Sequence, residues 1–154
     1  MSYERMTADQ IGDRIEINDL LVRYAAAIDA KDYNLLDTCF TPDAKVDYTS
    51  SAGIAGTYPE ARAWLEKALA MFSMTLHYVT NSTVTLDGDS ARATTYVFNP
   101  MRMKNADGSA SYFTVGAYYH DRLVRTQDGW RIAERREELA FMEGSLPAGL
   151  EEPS

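Results

Sequence analysis

The chain contains few of the side chains that build disulfides and metal centres. Among its 154 residues there is one cysteine, Cys39, and there are two histidines. A single cysteine excludes a disulfide within the chain and a cysteine-cluster metal site. Its setting between Leu35 and Phe40 is typical of a helix interior, so we predict a buried core thiol. The two histidines and the scattered carboxylates predict no metal site.

Motifs that hold cofactors or nucleophiles are also missing. The chain has no Gly-x-Gly-x-x-Gly or Walker-type loop, so nothing in it predicts a nucleotide site. It also lacks the Gly-x-Ser-x-Gly turn that carries a nucleophilic serine. We therefore expect any chemistry to proceed without a cofactor.

Positive charge and long apolar runs are scarce as well. The formal net charge is −8 and the isoelectric point is about 4.7, which disfavours nucleic-acid partners and attraction to an anionic membrane. No segment approaches the roughly 20 apolar residues of a membrane span, and the charged first residues lack the apolar centre of a signal peptide. We expect a cytoplasmic protein.

Three segments have the apolar spacing of helices. Thr7 to Ala30 places its apolar residues along one broad side, with Thr7 or Asp9 available as the cap. A shorter helix is predicted from Tyr33 to Phe40, ended by Thr41-Pro-Asp43. A third is predicted from Pro59 to Phe72, with proline in its first turn.

The strand patterns come mainly after these helices. A short strand is predicted from Ala44 to Tyr48, and longer ones over Leu76–Leu86, Ala91–Lys104, Ser111–Thr126 and Trp130–Met142. Gly- and Asp-containing turns separate the long strands, which predicts antiparallel hairpins. Helices followed by a meander predict one α+β domain over residues 1–144, with a curved, mostly antiparallel sheet around the helices and a tail at 145–154.

His77 and Asp29 are the candidate catalytic pair. His77 sits in Met74-Thr-Leu-His-Tyr-Val-Thr-Asn81, a segment that has the pattern of a strand. Asp29 projects from a small, apolar face near the end of the first predicted helix. An imidazole oriented by a carboxylate is a general base, so we predict that the two meet. The alternative for each is structural: a hydrogen-bonded histidine, and an aspartate that binds water or caps a helix.

Tyrosines and one arginine are further candidates. Tyr24 and Tyr48 are candidate catalytic hydrogen-bond donors, because a phenol can stabilise a carbonyl or a departing hydroxyl without carrying charge. Packing is the alternative role for each. Strict alternation along the last strand places Arg136 rather than Arg135 on the interior face, and a bulge would reverse this. The alternative role of both arginines is a solvated edge ladder with Glu134, Glu137 and Glu138, which the charge pattern alone favours. Our candidate substrate contacts are Tyr119, Arg135, Asn99 and Trp64.

Several segments together resemble a known family. They are Tyr24-Ala-Ala-Ala-Ile-Asp29, Val46-Asp-Tyr48, Leu76-His-Tyr-Val-Thr-Asn81 and the run from Gly116 to Ile132. Over about residues 8 to 142 the chain resembles the SnoaL-like family of the nuclear-transport-factor-like superfamily, which includes cofactor-independent dehydratases and a dehydrochlorinase. The resemblance implies a cone-shaped α+β barrel, an Asp29–His77 base, and roles for Tyr24 and Tyr48.

The function expected from these residues is a lyase. We expect a cofactor-independent, dehydratase-type elimination on a small hydrophobic substrate that is cyclic and steroid-like or polyketide-like. An isomerase or cyclase that uses the same base is one alternative. A non-catalytic ligand-binding protein or an oxygenase small-subunit-like protein is the other. Self-association is expected because open sheets of this kind cover their outer face. The resemblance implies a trimer, with a dimer as the alternative.

Overall fold

A computed structural model describes residues 5–145, which form three α-helices, a 3-10 helix (Thr49–Ser51) and seven strands. The helices are α1 (Ala8–Ala30), α2 (Tyr33–Asp37) and α3 (Tyr58–Leu69). The strands are β1 (Phe40–Asp47), β2 (Ala55–Thr57), β3 (Phe72–Thr75), β4 (Tyr78–Asp87), β5 (Ser90–Lys104), β6 (Ala110–Thr126) and β7 (Gly129–Gly144). The predicted tail at 145–154 lies outside the described residues apart from Ser145, and the domain boundary stays a prediction.

The strands form one strongly curled, mixed sheet. Its order is β2-β1-β7-β6-β5-β3, and β4 pairs with the other end of β5. The pairing of β1 with β7 is parallel, and the other pairings are antiparallel. The helices pack against this half-barrel, so the predicted cone-shaped α+β fold is confirmed. The core lies between the helices and the inner face of the sheet.

The long first helix delivers two candidate residues to the interior. Thr7 and Gln10 close a capping box at its start, and Lys31 ends it with a left-handed backbone at φ 55°. Tyr24 and Ile28, one turn apart, are buried, and Asp29 follows at the last turn. No helix within residues 5–145 has the length and apolar character needed to cross a membrane.

Three predicted boundaries are wrong. Helix α2 ends at Asp37 rather than Phe40, and Thr41, Pro42 and Asp43 belong to β1. Pro42 is compatible with a strand there because the register of β1 with β7 is interrupted between Phe40 and Lys45. Helix α3 ends at Leu69, so that Phe72 begins the unpredicted strand β3.

His77 does not lie within a strand as predicted. It lies in a break between β3 and β4, where the register on β5 places Pro100 opposite Leu76. Proline has no N–H to donate, so the hydrogen-bond ladder is weakened at that point. The Leu76 N–H still donates to the Pro100 carbonyl at 3.1 Å, so the alternation of an antiparallel pair turns the next N–H, that of His77, away from β5.

An extra residue in β7 reverses the predicted direction of its charged side chains. Leu123 pairs with Ile132 and Arg122 with Glu134, so Ala133 is bulged. A second bulge at Ala140 lies between the positions paired with Gly116 and Ala117. The first bulge turns Arg135 inward and leaves Arg136 exposed, which is the opposite of strict alternation.

Candidate active site

A cavity of about 410 Å³ lies between α1, α3 and the inner face of the sheet. Most of its wall is apolar, formed by side chains such as Ile28, Trp64, Leu65, Phe72, Met101, Phe113, Val115 and Met142. A smaller polar set also faces the cavity: Tyr24, Tyr48, His77, Asn99, Tyr119 and Glu137. A hollow of this composition fits a hydrophobic molecule with a few polar groups.

His77 and Asp29 form a closely matched pair at this cavity. His77 Nδ1 lies 2.7 Å from Asp29 Oδ1, and the His77 backbone N–H donates to Asp29 Oδ2 at 2.8 Å. Thr75 Oγ1 also donates to Asp29 Oδ1, at 2.9 Å. The His77 and Asp29 side chains are 8% and 22% exposed, so the pair is largely shielded from water. Three donors therefore fix the carboxylate and, through it, the imidazole ring.

Asn99 fixes the tautomer of the imidazole. Its Oδ1 accepts from the Leu76 backbone N–H at 3.2 Å, a hydrogen that is shared with the Pro100 carbonyl at 3.1 Å, and its amide nitrogen lies 3.1 Å from His77 Nε2. Because that nitrogen donates, Nε2 carries a lone pair, and the ring proton lies on Nδ1 towards Asp29. The basic nitrogen of His77 therefore faces the cavity wall lined by Asn99.

Asp29 is held in its ionised form. Burial acts to raise its pKa, but the hydrogen bonds from the His77 ring and backbone, together with Thr75, outweigh burial and lower the pKa. An ionised carboxylate orients Nδ1–H and would stabilise an imidazolium if Nε2 took up a proton. The arrangement is that of a general base.

Tyr24 and Tyr48 meet through their hydroxyl groups on the cavity wall. The two oxygens lie 3.0 Å apart, so one phenol donates to the other and the second keeps a proton to donate. Burial raises the pKa of Tyr24 against the opposing charge of Arg135, and it raises that of Tyr48 well above its ordinary value. Both phenols are therefore neutral hydrogen-bond donors at neutral pH.

Arg135 lies behind the wall rather than on it. Its guanidinium donates to both oxygens of Asp121, at 2.8 and 2.7 Å, and both side chains are 0% exposed. It stacks between Tyr24 and Tyr119, 4.1 and 4.0 Å from their ring centroids. The predicted contact of Arg135 with a substrate does not fit this position, because two aromatic rings and a carboxylate already enclose it.

The cavity unites most of the predicted site residues. Asp29 contacts His77 directly, and Tyr24, Tyr48, Asn99, Tyr119 and Trp64 all line the hollow. Sequence reasoning missed Glu137, which was predicted to be a solvated ladder residue and instead faces the interior. Once the bulge at Ala133 turns Arg135 inward, alternation carries Glu137 inward too. Within residues 5–145 no group of three or more His, Cys, Asp and Glu side chains could hold a metal ion.

Sequence relatives place the chain in one family. A sequence model of the SnoaL-like domain matches residues 9–136. The uncharacterized protein Rv2910c of Mycobacterium tuberculosis is 41% identical over 136 residues, which cover 88% of this chain and 91% of that protein.

Solved structures share the fold. The Kfla4162 protein of Kribbella flavida matches with a TM-score of 0.79 and 28% identity, over 86% of this chain and 94% of that one. Hexachlorocyclohexane dehydrochlorinase LinA-type3 from Novosphingobium barchaimii matches with a TM-score of 0.73 and 19% identity, over 92% of this chain and 94% of that one. A candidate scytalone dehydratase from Novosphingobium aromaticivorans matches with a TM-score of 0.75 and 18% identity, over 94% of this chain and 98% of that one. The domain match, the 41% identical relative and the shared fold together show that this chain belongs to the SnoaL-like domain family.

Proposed function

We propose that the protein is a cofactor-independent lyase of the dehydratase type, in which His77 is the base. The observation that carries this proposal is the shielded contact between His77 Nδ1 and Asp29, with Nε2 facing an apolar cavity. An imidazole that a carboxylate orients in this way is a common general base in enzymes. The names of two structural neighbours, a dehydrochlorinase and a candidate scytalone dehydratase, describe eliminating enzymes and favour the same reaction class.

The proposed reaction begins with the removal of a proton from the carbon beside a carbonyl group. His77 Nε2 takes that proton after the substrate displaces the Asn99 amide from it. The electrons of the broken C–H bond form a C=C bond, and the bond to the leaving hydroxyl on the next carbon breaks. Asp29 stabilises the imidazolium formed in this step, much as a carboxylate does in a hydrolytic triad. The products are an unsaturated ketone and, once the hydroxyl is protonated, water.

The tyrosine pair would stabilise negative charge on oxygen. Tyr24 and Tyr48 have high pKa values and stay protonated, so their free O–H donates to the carbonyl or the departing hydroxyl. Such a donor in a dry site strengthens as charge develops on its acceptor. Arg135, stacked on the Tyr24 ring, adds a fixed positive charge behind it.

The substrate class follows from the wall of the cavity. A hollow of about 410 Å³ lined mainly by aliphatic, aromatic and methionine side chains matches a hydrophobic cyclic molecule, steroid-like or polyketide-like. Methionine side chains such as Met101 and Met142 adapt to irregular ring systems. We infer a ketone that carries a hydroxyl group on the second carbon from the carbonyl.

A pair of histidine variants tests the proposal. His77→Ala should lower turnover of a decalin-type β-hydroxy ketone by at least about 100-fold, because positioned proton transfer contributes that much. His120→Ala is the matched control, since His120 binds Thr94 and Glu138 and does not line the cavity. Product analysis separates the alternatives: a shifted double bond without water loss identifies an isomerase, and tight binding without conversion identifies a binding protein. Full turnover by a folded His77→Ala protein would refute the role of His77.

A further inference from the structure

Glu137 introduces a second proton-transfer group into the cavity. It lies two residues after Arg135 on β7 and pairs across the sheet with Tyr119 on β6, so both side chains share the inner face. The Ser50 hydroxyl donates to the Glu137 backbone carbonyl at 3.0 Å and accepts from Leu139 N–H at 3.0 Å. The 3-10 helix thereby fixes the backbone that carries this carboxyl group.

The carboxyl group of Glu137 has no structural task that would explain its place. No side chain or backbone group within residues 5–145 donates a hydrogen bond to it or forms an ion pair with it, since Arg135 is engaged with Asp121, although a carboxylate largely shielded from water needs partners. Glu137 is also the one carboxylate that lines the cavity within the described part of the chain. A protonated carboxyl group that donates to a bound molecule resolves this mismatch.

Burial favours that protonated form. Burial raises the pKa of Glu137 to about 7, against the opposing charge of Arg135 and with a smaller contribution from Asp47. The other ionisable groups that face the same space are Tyr24, Tyr48, Tyr119, His77 and, at the rim, Lys67. The tyrosines hold their protons too tightly to release them at neutral pH, whereas Glu137 can release its own.

We propose that Glu137 is the general acid of this site and donates the proton that turns the leaving hydroxyl into water. The proposal rests on the elimination described above. In that step His77 Nε2 gains the substrate proton, the C–O bond breaks with its electrons on oxygen, and that oxygen takes the proton of Glu137. Water and the unsaturated ketone leave. The protein returns to its starting state when the imidazolium loses its proton to solvent and the Glu137 carboxylate regains one.

Two substrates with different leaving groups distinguish the role of Glu137 as the acid from the role of His77 as the base. A hydroxyl must be protonated to leave as water, whereas acetate leaves as a stable anion and needs no proton. Glu137→Gln should slow elimination of the β-hydroxy decalone by about 100-fold or more and leave elimination of the β-acetoxy analogue unchanged. His77→Ala should lose both reactions, so this variant tests the proposed function. The ratio of the two elimination rates in Glu137→Gln tests the role of Glu137 as the acid. Glu138→Gln is the matched control, because Glu138 is exposed and binds His120 and Arg136.

Titration of the carboxyl group gives a second readout that needs no turnover. In protein labelled with ¹³C at glutamate side-chain carboxyls, one signal should titrate near neutrality, disappear in Glu137→Gln and persist in Glu138→Gln. Binding of the unreactive ketone decalone should shift that signal, because the ligand fills the space that Glu137 faces. Equal losses on both substrates in Glu137→Gln, or titration of the Glu137 signal in the ordinary glutamate range, would overturn the proposal.

Discussion

The amide nitrogen of Asn99 donates to His77 Nε2 at 3.1 Å, while its oxygen accepts from the Leu76 backbone N–H. The nitrogen that we propose as the base is thus occupied before substrate binds. This contact fixes the neutral tautomer but must break when Nε2 takes a proton, because two N–H groups cannot face each other. Asn99 is therefore a positioning residue that keeps the imidazole ready and withdraws as the substrate enters.

The first prediction concerns the amide itself. Asn99→Asp preserves an acceptor for Leu76 N–H but presents a carboxylate oxygen to Nε2, which favours the protonated ring because a carboxylate then faces each of its nitrogens. We expect kcat/KM near neutral pH to fall by about tenfold or more and to recover as the pH rises. The measurement is a pH profile beside the control Asn81→Asp, which changes an exposed residue. An unshifted profile would show that residue 99 does not contact His77 Nε2.

The buried ion pair beneath the tyrosines should be strongly stabilising. Asp121→Asn leaves the fully buried Arg135 guanidinium without its counter-ion, which should lower the free energy of unfolding by about 3–5 kcal/mol. Glu134→Gln, on the same two strands, removes the exposed pair with Arg122 and should cost less than about 1 kcal/mol. Urea denaturation of both variants tests the contrast. Equal losses would show that Arg135 does not depend on Asp121.

Stability should depend on pH through Glu137. Because its folded-state pKa is raised from 4.5 to about 7, its stabilising contribution is full below the unfolded pKa and is lost as pH rises through the folded pKa. The free energy of unfolding of Glu137→Gln relative to the wild type should therefore increase between about pH 4 and about pH 8, by on the order of 3 kcal/mol. Denaturant titrations at both pH values test this, and Glu138→Gln should lack the increase.

The outer face of the sheet should mediate self-association. Tyr78 packs against Phe98 and Tyr96 against Tyr118, with ring centroids 6.2 and 4.9 Å apart, and Tyr78, Tyr96 and Phe98 are about half exposed. Exposed aromatic rows of this kind are typical of protein contacts. We predict a trimer or dimer in sedimentation and a monomer for Phe98→Glu. A monomeric wild type would contradict the prediction, and so would a Phe98→Glu variant that keeps the wild-type mass.

Periodicity in the sequence predicted most of the helices and the long antiparallel strands. Apolar spacing gave α1 almost to its ends, and the turns at Gly88, Gly108 and Gly129 gave the long hairpins. The parallel pairing of β1 with β7 was not predicted, because it joins segments far apart in the chain and leaves no local pattern. Strand β3 was missed because its four residues follow α3 almost without a turn.

The site was harder to predict, because single-residue irregularities decide it. The residues Asp29 and His77 were found from their chemistry, but the gap between β3 and β4 and the hydrogen bond from the His77 backbone to Asp29 join segments far apart in the chain and leave no local pattern. Glu137 was missed because the bulge at Ala133 inverts the side chains between it and the second bulge at Ala140, and alternation alone carries no sign of it.

Hydrogen exchange at carbon tests most directly whether His77 removes a proton from the substrate. In D₂O, the wild-type protein should catalyse deuterium incorporation beside the carbonyl of decalone, a ketone with no group to lose, as followed by NMR. His77→Gln should reduce the catalysed rate by at least about 100-fold, and Asp29→Asn should reduce it in the same direction. Incorporation by His77→Gln at the wild-type rate, or no catalysis by the wild type, would contradict the assignment of His77 as the base.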